Sequence, residues 1–331
     1  MADTSVGRSN LTDTPDVRSR EKATVIRSTW ADTTVVRSNL TGTADVRSRE
    51  KVAVFQSKCS GTKIKSQERT KDGCLRYGTP YGGHELPGRL DLFRKGDVYI
   101  GIGCGEDISF DLSIAAAFGV PINLLDPTPR AMLHVGAVID RIAAKSPPVY
   151  FSGGSDMYSW NGNTLRISGE TNAKEWWSEV LRANLDPAGI HFYPWGLSIA
   201  DGNKTFVPPR SGVSHSLAAH GDAAKGAFTV PVKSFQSIVH ALKDAKVGIL
   251  KIDIEGHEVV VIPQLVALFQ TQEKARWPRI LLFDMDCFRD GHGGQDVAGG
   301  RRCVALLESI GYELFSDAGF DYTFVLAEGF A

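Results

Sequence analysis

The 331 residues carry a formal net charge of −1 and are 42% hydrophobic, which suits one large α/β domain with an appended segment and argues against a nucleic-acid partner. The five cysteines are odd in number and form no C-x-x-C pair, which disfavours a zinc knuckle or a disulfide framework. No signal-peptide pattern opens the chain and no apolar run reaches the ~20 residues of a membrane span, so we expect a cytoplasmic protein without a membrane partner.

Residues 1–55 form a tandem repeat with a period of nine or ten residues. Arg-Ser pairs recur through this segment, and residues 8–22 differ from residues 37–51 at only two positions. Few large apolar residues are present, so the segment cannot bury enough surface to offset its ordering entropy. We expect disorder here, with kinase sites or a partner-binding tail as the alternative functional interpretation.

The first regular elements are predicted after an irregular lead-in over residues 56–95, which contains several Gly-rich turn signals. Asp97 to Gly103 reads as a buried strand, Ser109 to Phe118 as a helix, and Pro121 to Asp126 as a second strand. Together these elements predict a βαβ unit.

Later apolar runs predict five more strands, which brings the total to seven. They cover residues 190–197, 247–253, 279–286, 312–315 and 322–327. The last two are separated by a short polar turn over residues 316–321, which is typical of an antiparallel hairpin at the edge of a mostly parallel sheet. Residues 147–189 are predicted to form an insertion, either a cap near the site or a passive excursion.

The Gly101-x-Gly103-x-Gly105 loop between the first strand and helix predicts a cofactor site, because glycines allow tight turns and a close approach to a ligand. A dinucleotide fingerprint would need a small residue where Glu106 stands. Glu106 and Asp107 would repel a pyrophosphate, whereas S-adenosylmethionine carries a sulfonium and an ammonium. Both acids are also compatible with simple helix capping.

Asp126 ends the second strand, where an acidic side chain can accept hydrogen bonds from both hydroxyls of a ribose. The alternative is a turn-forming Asp before Pro127.

The clearest signal lies in the strand over residues 247–253 and the residues that follow. Successive side chains of a strand point to opposite faces, so Lys251, Asp253 and Glu255 are predicted to lie on one side. Charged side chains in an apolar strand are costly unless they are paired. They could hold a substrate or the methionine moiety at the carboxyl edge of the sheet, or form a structural ion pair. A cation bound by oxygen ligands is a further alternative, with the ligands drawn from Asp253, Glu255, His257, Asp284 and Asp286.

Six segments carry a resemblance to a known family. They are VYIGIGCGEDISFD (98–111), LLDPTP (124–129), YPWGLSIADG (193–202), VPVKSF (230–235), LKIDIEGHE (250–258) and RILLFDMD (279–286). In these segments and their order, the chain resembles the FkbM family of methyltransferases and the related animal methyltransferase-like proteins.

The resemblance implies a Rossmann-like, seven-stranded class I methyltransferase domain over residues 96–331 that uses S-adenosylmethionine, often to methylate a hydroxyl of a small molecule or sugar. The resemblance implies that Gly101, Gly103, Gly105 and Asp126 bind the cofactor and that Asp253 and Glu255 line the active site. Further candidates are Asp107 and Ser198 for the cofactor, and Lys251, Glu258 and Asp284 for the substrate. Asp253, Glu255 and His257 are the catalytic candidates.

The expected reaction is in-line transfer of the sulfonium methyl group to an acceptor oxygen, with Asp253, Glu255 or His257 removing the hydroxyl proton. Asp253 is favoured because it stands nearest the predicted strand end. Two rival hypotheses are an NAD-dependent oxidoreductase and a non-catalytic, cofactor-binding scaffold that acts through its repeat segment.

Overall fold

A computed structural model describes ten stretches of the chain, and everything below refers to them: residues 74–78, 82–88, 92–105, 107–145, 158–161, 164–167, 185–206, 227–285, 296–318 and 320–327. The tandem repeat, most of the insertion, Glu106 and Asp286 lie outside these residues.

The described residues form fourteen strands and five α-helices. In chain order they are β1 (Cys74–Tyr77), β2 (His84–Pro87), β3 (Asp97–Ile102), α1 (Ser109–Phe118), β4 (Ile122–Leu125), α2 (Pro129–Ala143), β5 (Tyr158–Asn161), β6 (Thr164–Ile167), β7 (Ile190–Tyr193), β8 (Gly196–Leu197), β9 (Gly202–Phe206), β10 (Phe228–Lys233), α3 (Phe235–Ala241), β11 (Lys246–Ile252), α4 (Glu258–Gln270), β12 (Ile280–Asp284), α5 (Val297–Ser309), β13 (Tyr312–Ala318) and β14 (Asp321–Leu326). Short 3₁₀ turns precede β7 and β12.

The central sheet has seven strands in the order β13-β14-β12-β11-β3-β4-β7. The pairs from β12 across to β7 are all parallel, whereas β14 runs antiparallel to both of its neighbours, β12 and β13. This confirms the predicted α/β fold, a seven-stranded and mostly parallel sheet with a C-terminal antiparallel hairpin. The arrangement is that of a class I methyltransferase-like fold.

Two predicted strand boundaries are wrong. The strand predicted over residues 190–197 ends at Tyr193, because Pro194 has no N–H to continue the ladder. Gly196 and Leu197 instead join a second sheet of order β8-β10-β9. The turn predicted over residues 316–321 is shorter, since β13 continues to Ala318 and β14 begins at Asp321.

The lead-in predicted to be irregular contains an antiparallel hairpin formed by β1 and β2. Tyr77 and Leu86 of this hairpin are buried in the core. The hairpin also bonds to the antiparallel edge of the main sheet, where Thr323 Oγ1 donates to the Glu85 carbonyl (3.0 Å) and Ser316 Oγ donates to the Glu85 carboxylate (3.2 Å). It is therefore an integrated part of the fold. A second hairpin, β5 with β6, lies in the region predicted as an insertion.

Helices and hairpins cover both faces of the sheet. One core joins the first face to α1, α2 and the β1–β2 hairpin, and the other joins the second face to α3, α4 and α5. Strand β11 alternates between them, since Ile249 packs in the first core while Leu250 and Ile252 pack in the second. No described helix is long and apolar enough to cross a membrane.

Local signals at the ends of helices α1 and α2 fix these helices against the sheet. Helix α1 ends at Gly119, whose left-handed φ of 63° lets its N–H return to the Ala115 carbonyl. Helix α2 starts after Thr128, whose side chain accepts from Ala131 N, and Pro129 fills the first helical position. Because α1 follows β3 and the glycine loop, its amino end lies at the carboxyl edge of the sheet.

Candidate functional site

The carboxyl ends of β3, β4, β11 and β12 lie side by side. The register pairs Ile102 with both Leu125 and Ile252, and Ile252 with Phe283. The residues that follow these strand ends are therefore neighbours on one edge of the sheet, the position at which open α/β sheets bind ligands. The glycine loop, Asp126, Asp253 and Asp284 meet at this edge, as the sequence predicts.

The three loop glycines serve different purposes. A Cβ at Gly101 would press on the Asp111 carboxylate and the Tyr99 hydroxyl (2.5 and 2.9 Å), and a Cβ at Gly103 would overlap the Asp253 carbonyl oxygen. Both positions are thus constrained by packing inside the domain. Gly105 is exposed, has a φ of 53°, and has no atom within 4 Å of an added Cβ. Of the three, it is Gly105 that borders open space where a ligand could lie.

Asp126 is buried and accepts four hydrogen bonds, two of them from the glycine loop. Its Oδ2 accepts from the N–H groups of Cys104 (3.0 Å) and Gly105 (3.1 Å). Its Oδ1 accepts from the N–H (2.8 Å) and the hydroxyl (2.7 Å) of Thr128. Burial raises the pKa of Asp126, and these hydrogen bonds oppose that shift. Because a carboxylate has about four lone-pair sites, contact with a ribose would require an exchange of partners.

Asp107 and Ser198, the other two candidate cofactor residues, are both buried. Asp107 Oδ1 accepts from Ser109 N (2.8 Å), although Asp107 lies one residue before the N-cap position of α1, which is Ile108. Ser198 follows β8, and its N–H donates to the Lys233 carbonyl (2.9 Å). Their predicted contacts with a cofactor stay predictions.

The loop after β11 has an unusual backbone that Glu258 stabilises. Glu255 and Gly256 both have positive φ values, 57° and 93°. The Glu258 carboxylate accepts from Ile254 N (2.7 Å) and Gly256 N (2.8 Å), and its side chain is fully buried. The structure therefore assigns Glu258 to holding this loop, which does not fit its predicted contact with a substrate. A left-handed non-glycine residue costs about 1–3 kcal/mol and persists where its surroundings enforce it.

His257 stands between this loop and helix α4. Burial, with a smaller contribution from Lys204, lowers the pKa of His257, so the imidazole is neutral near pH 7. Its Nε2 is buried and accepts or donates no hydrogen bond among the described residues. A neutral imidazole with an unengaged nitrogen is able to accept a proton.

The Lys251 side chain is buried in the domain and is not exposed at the carboxyl edge of the sheet. Its side chain is 5% exposed, and Nζ is 3.8 Å from Oδ2 of Asp253, whose side chain is 32% exposed. Burial disfavours the charge on Lys251, but Asp111 and Asp253 outweigh burial and raise its pKa above the ordinary value. The contact between Lys251 and Asp253 is a structural ion pair, which the sequence left open as the alternative to substrate binding. A buried Lys251 side chain does not fit a role in binding a substrate.

Asp284 ends β12 and is paired in register with Asp321 at the start of β14. His84 of the lead-in hairpin joins them, with Nδ1 3.8 Å from Asp321 Oδ1. Burial, and then the charges of Lys251 and Arg76, lower the pKa of His84, which is therefore neutral. His84 and Asp321 were not found from the sequence, because no local pattern joins a hairpin before β3 to the last strand.

An aromatic pair at the end of β7 was also not singled out from the sequence. The rings of Tyr193 and Trp195 stack with centroids 4.9 Å apart, and Lys233 Nζ lies 4.7 Å from the Trp195 ring centroid. The Tyr193 carbonyl accepts from Asp126 N (3.1 Å), which ties this pair to the edge beside the glycine loop. The signal for them was the segment YPWGL, where aromatic residues flank a strand-ending proline.

Within the described stretches, no three His, Cys, Asp or Glu side chains converge in a way that could hold a metal ion. Comparison of the chain with protein-family models, with curated proteins and with solved structures finds no match.

Proposed function

We propose that the chain is an S-adenosylmethionine-dependent methyltransferase that methylates a hydroxyl group of a small molecule or glycan. The observation that carries this proposal is the antiparallel strand β14, which is inserted between β12 and β13. The dinucleotide-binding fold has six strands in the order 3-2-1-4-5-6 and no such insertion. The strand order therefore favours methyl transfer over an NAD-dependent oxidoreductase.

The glycine loop supports the same choice of cofactor. A pyrophosphate is bound by the amino end of a helix that carries no competing charge. Here Asp107 is buried at that end of α1, and its carboxylate already accepts from Ser109 N. A cofactor without phosphates avoids repulsion by this carboxylate.

The cofactor is proposed to lie along the open side of Gly105, between the glycine loop and the Tyr193–Trp195 pair. Flat aromatic faces suit an adenine ring, and the amides of Cys104 and Gly105 are held in place by Asp126. In this proposal the main contribution of Asp126 is to shape the loop, and a ribose hydroxyl would have to replace one of its present donors.

The proposed chemistry is direct transfer of the methyl group to an oxygen of the acceptor, with loss of the hydroxyl proton to a side chain. Most of the rate enhancement would come from holding donor and acceptor in line at near-contact distance. Asp253 is the first candidate for the base, since it directly follows the end of β11 and its side chain is partly exposed. The main chain of Asp253 packs against Gly103. Glu255 and His257 of the same loop are the other candidates.

A matched pair of glycine variants tests cofactor binding. Gly105 and Gly119 flank helix α1, both have left-handed φ values (53° and 63°), and both have open space around an added Cβ. Asn tolerates this conformation better than other side chains. Gly105→Asn is therefore expected to weaken the Kd for S-adenosylmethionine at least tenfold by calorimetry, whereas Gly119→Asn leaves it within twofold.

The proposal fails if the unsubstituted protein binds NAD and not S-adenosylmethionine in the same titrations. It also fails if labelled cofactor is bound but no metabolite or glycan fraction of a cell extract receives the label. The second result would leave the scaffold hypothesis in its place.

A further inference from the structure

A buried cluster of one hydroxyl and two charged side chains lies next to the candidate base, on the face of the sheet that α1 covers. It consists of Tyr99 on β3, Asp111 on α1 and Lys251 on β11, which are all 4% exposed or less. Buried charges are costly unless they are paired. The burial of Asp111 and Lys251 close to Asp253 therefore needs a physical explanation.

Asp111 is the fixed member of the group. Its Oδ1 accepts from the Tyr99 hydroxyl at 2.6 Å, and its Oδ2 receives no hydrogen bond among the described residues. Gly101 is the register partner of Lys251, and a Cβ at that position would strike both Asp111 and Tyr99. The glycine is thus needed to accommodate the Tyr99–Asp111 hydrogen bond beside Lys251.

Lys251 is buried on the same face of the sheet as Asp111 and contacts the partly exposed Asp253. The negative charges of Asp111 and Asp253 favour its protonated form against the cost of burial. Its ammonium group contacts Asp253 Oδ2, at 3.8 Å. A buried ammonium group in contact with a partly exposed carboxylate restricts the orientations of that carboxylate.

We propose that Lys251 is a positioning residue, whose buried ammonium group holds the Asp253 carboxylate in the orientation that receives the acceptor proton. This inference rests on the proposed function for the role of Asp253. It does not require Lys251 to touch the substrate or the cofactor, and burial of the side chain is consistent with that.

The experiment must separate positioning from simple charge balance, because Lys251→Met alone would leave Asp111 buried without a counter-charge and could unfold the protein. The test variant is therefore Asp111→Asn/Lys251→Met, which removes both charges, and its reference is Asp111→Asn. Asn keeps an oxygen that can accept from the Tyr99 hydroxyl. We expect kcat for methyl transfer in the double variant to fall at least tenfold below the reference, with KM for the cofactor within twofold.

Equal kcat values in the two variants would overturn the proposal, since Lys251 would then only neutralise Asp111. If the unsubstituted protein transfers no methyl group, the proposed function fails, and crystal structures of the two variants decide the positioning role. A displaced Asp253 carboxylate in the double variant would support it. An unchanged Asp253 rotamer would overturn it.

Discussion

Gly103 packs against the main-chain carbonyl of Asp253, so closely that a Cβ atom at position 103 would overlap the carbonyl oxygen. The contact joins the glycine loop after β3 to the acidic loop after β11, and the Asp253 N–H donates to the Ile102 carbonyl at 2.9 Å beside it. The two segments that the sequence marks most strongly are therefore one packed unit.

Gly103→Ala is expected to destabilise the protein strongly, because a φ of 82° disfavours an L-residue and the methyl group overlaps the backbone. The expected loss in the free energy of unfolding is about 3 kcal/mol or more. Urea denaturation followed by circular dichroism measures it. Gly119→Ala is the matched control, with a similar left-handed φ of 63° but open space, and should lose only about 1–2 kcal/mol. Equal losses would show that the overlap is relieved at little cost.

Much of the fold could be predicted because its signals are local and repeated. Buried parallel strands read as continuous apolar runs, and the seven predicted strands are the seven strands of the main sheet. The boundary errors also have a local physical cause. Pro194 ends β7 early, and the ladder between β13 and β14 continues into the polar residues Ser316 and Asp317 because backbone pairing does not depend on side-chain polarity.

The sequence predicts the location of the site only through the predicted ends of the strands. Asp126 and Asp253 lie at the predicted edge, but the partners of these and other side chains depend on tertiary contacts far apart in the sequence. Glu258 turns back to the amides of its own loop, and His84 reaches Asp321 from the other end of the domain. A charge pattern in a sequence does not distinguish a carboxylate that faces a ligand from one that caps a loop.

Glu258→Ala is expected to release the loop that carries Glu255, since two backbone N–H groups lose a charged acceptor. Hydrogen bonds to charged groups contribute about 1.5–3 kcal/mol each, so we expect the two together to give a loss of about 3–6 kcal/mol. Faster amide exchange at Ile254 and Gly256 should accompany it, measured by NMR. Glu308→Ala, an exposed acid on α5, is the control and should change stability by less than about 0.5 kcal/mol. Unchanged exchange at both amides would contradict the loop-holding role.

Asp253→Asn is expected to reduce methyl transfer by roughly 10²–10⁴-fold, because an amide cannot accept the acceptor proton. The backbone contact with Gly103 and the cofactor loop remain, so the Kd for S-adenosylmethionine should stay within about threefold of the original value. The measurement is transfer of label from the cofactor into an extract fraction, paired with calorimetry. Asp186→Asn, which alters an exposed capping carboxylate before β7, controls for the loss of one negative charge. Full turnover in Asp253→Asn would move the base to Glu255 or His257.

His134 on α2 makes folding sensitive to acid, because the imidazole is completely buried. Burial lowers the pKa of His134 from 6.5 to about 3. Between these values the unfolded chain binds a proton that the folded protein does not, so stability is lost as the pH falls through 6.5. From pH 7 to pH 5 the contribution of this one side chain amounts to about 2 kcal/mol.

The measurement compares the protein with His134→Leu in urea at pH 7 and at pH 5. Subtracting the two proteins cancels the other histidines whose pKa is lowered by burial, among them His84 and His257. We expect the difference in unfolding free energy between the proteins to shift by about 2 kcal/mol in favour of the leucine variant at pH 5. A difference that is the same at both pH values would mean that His134 becomes protonated in the folded state, which would require water to reach the interior beside α2.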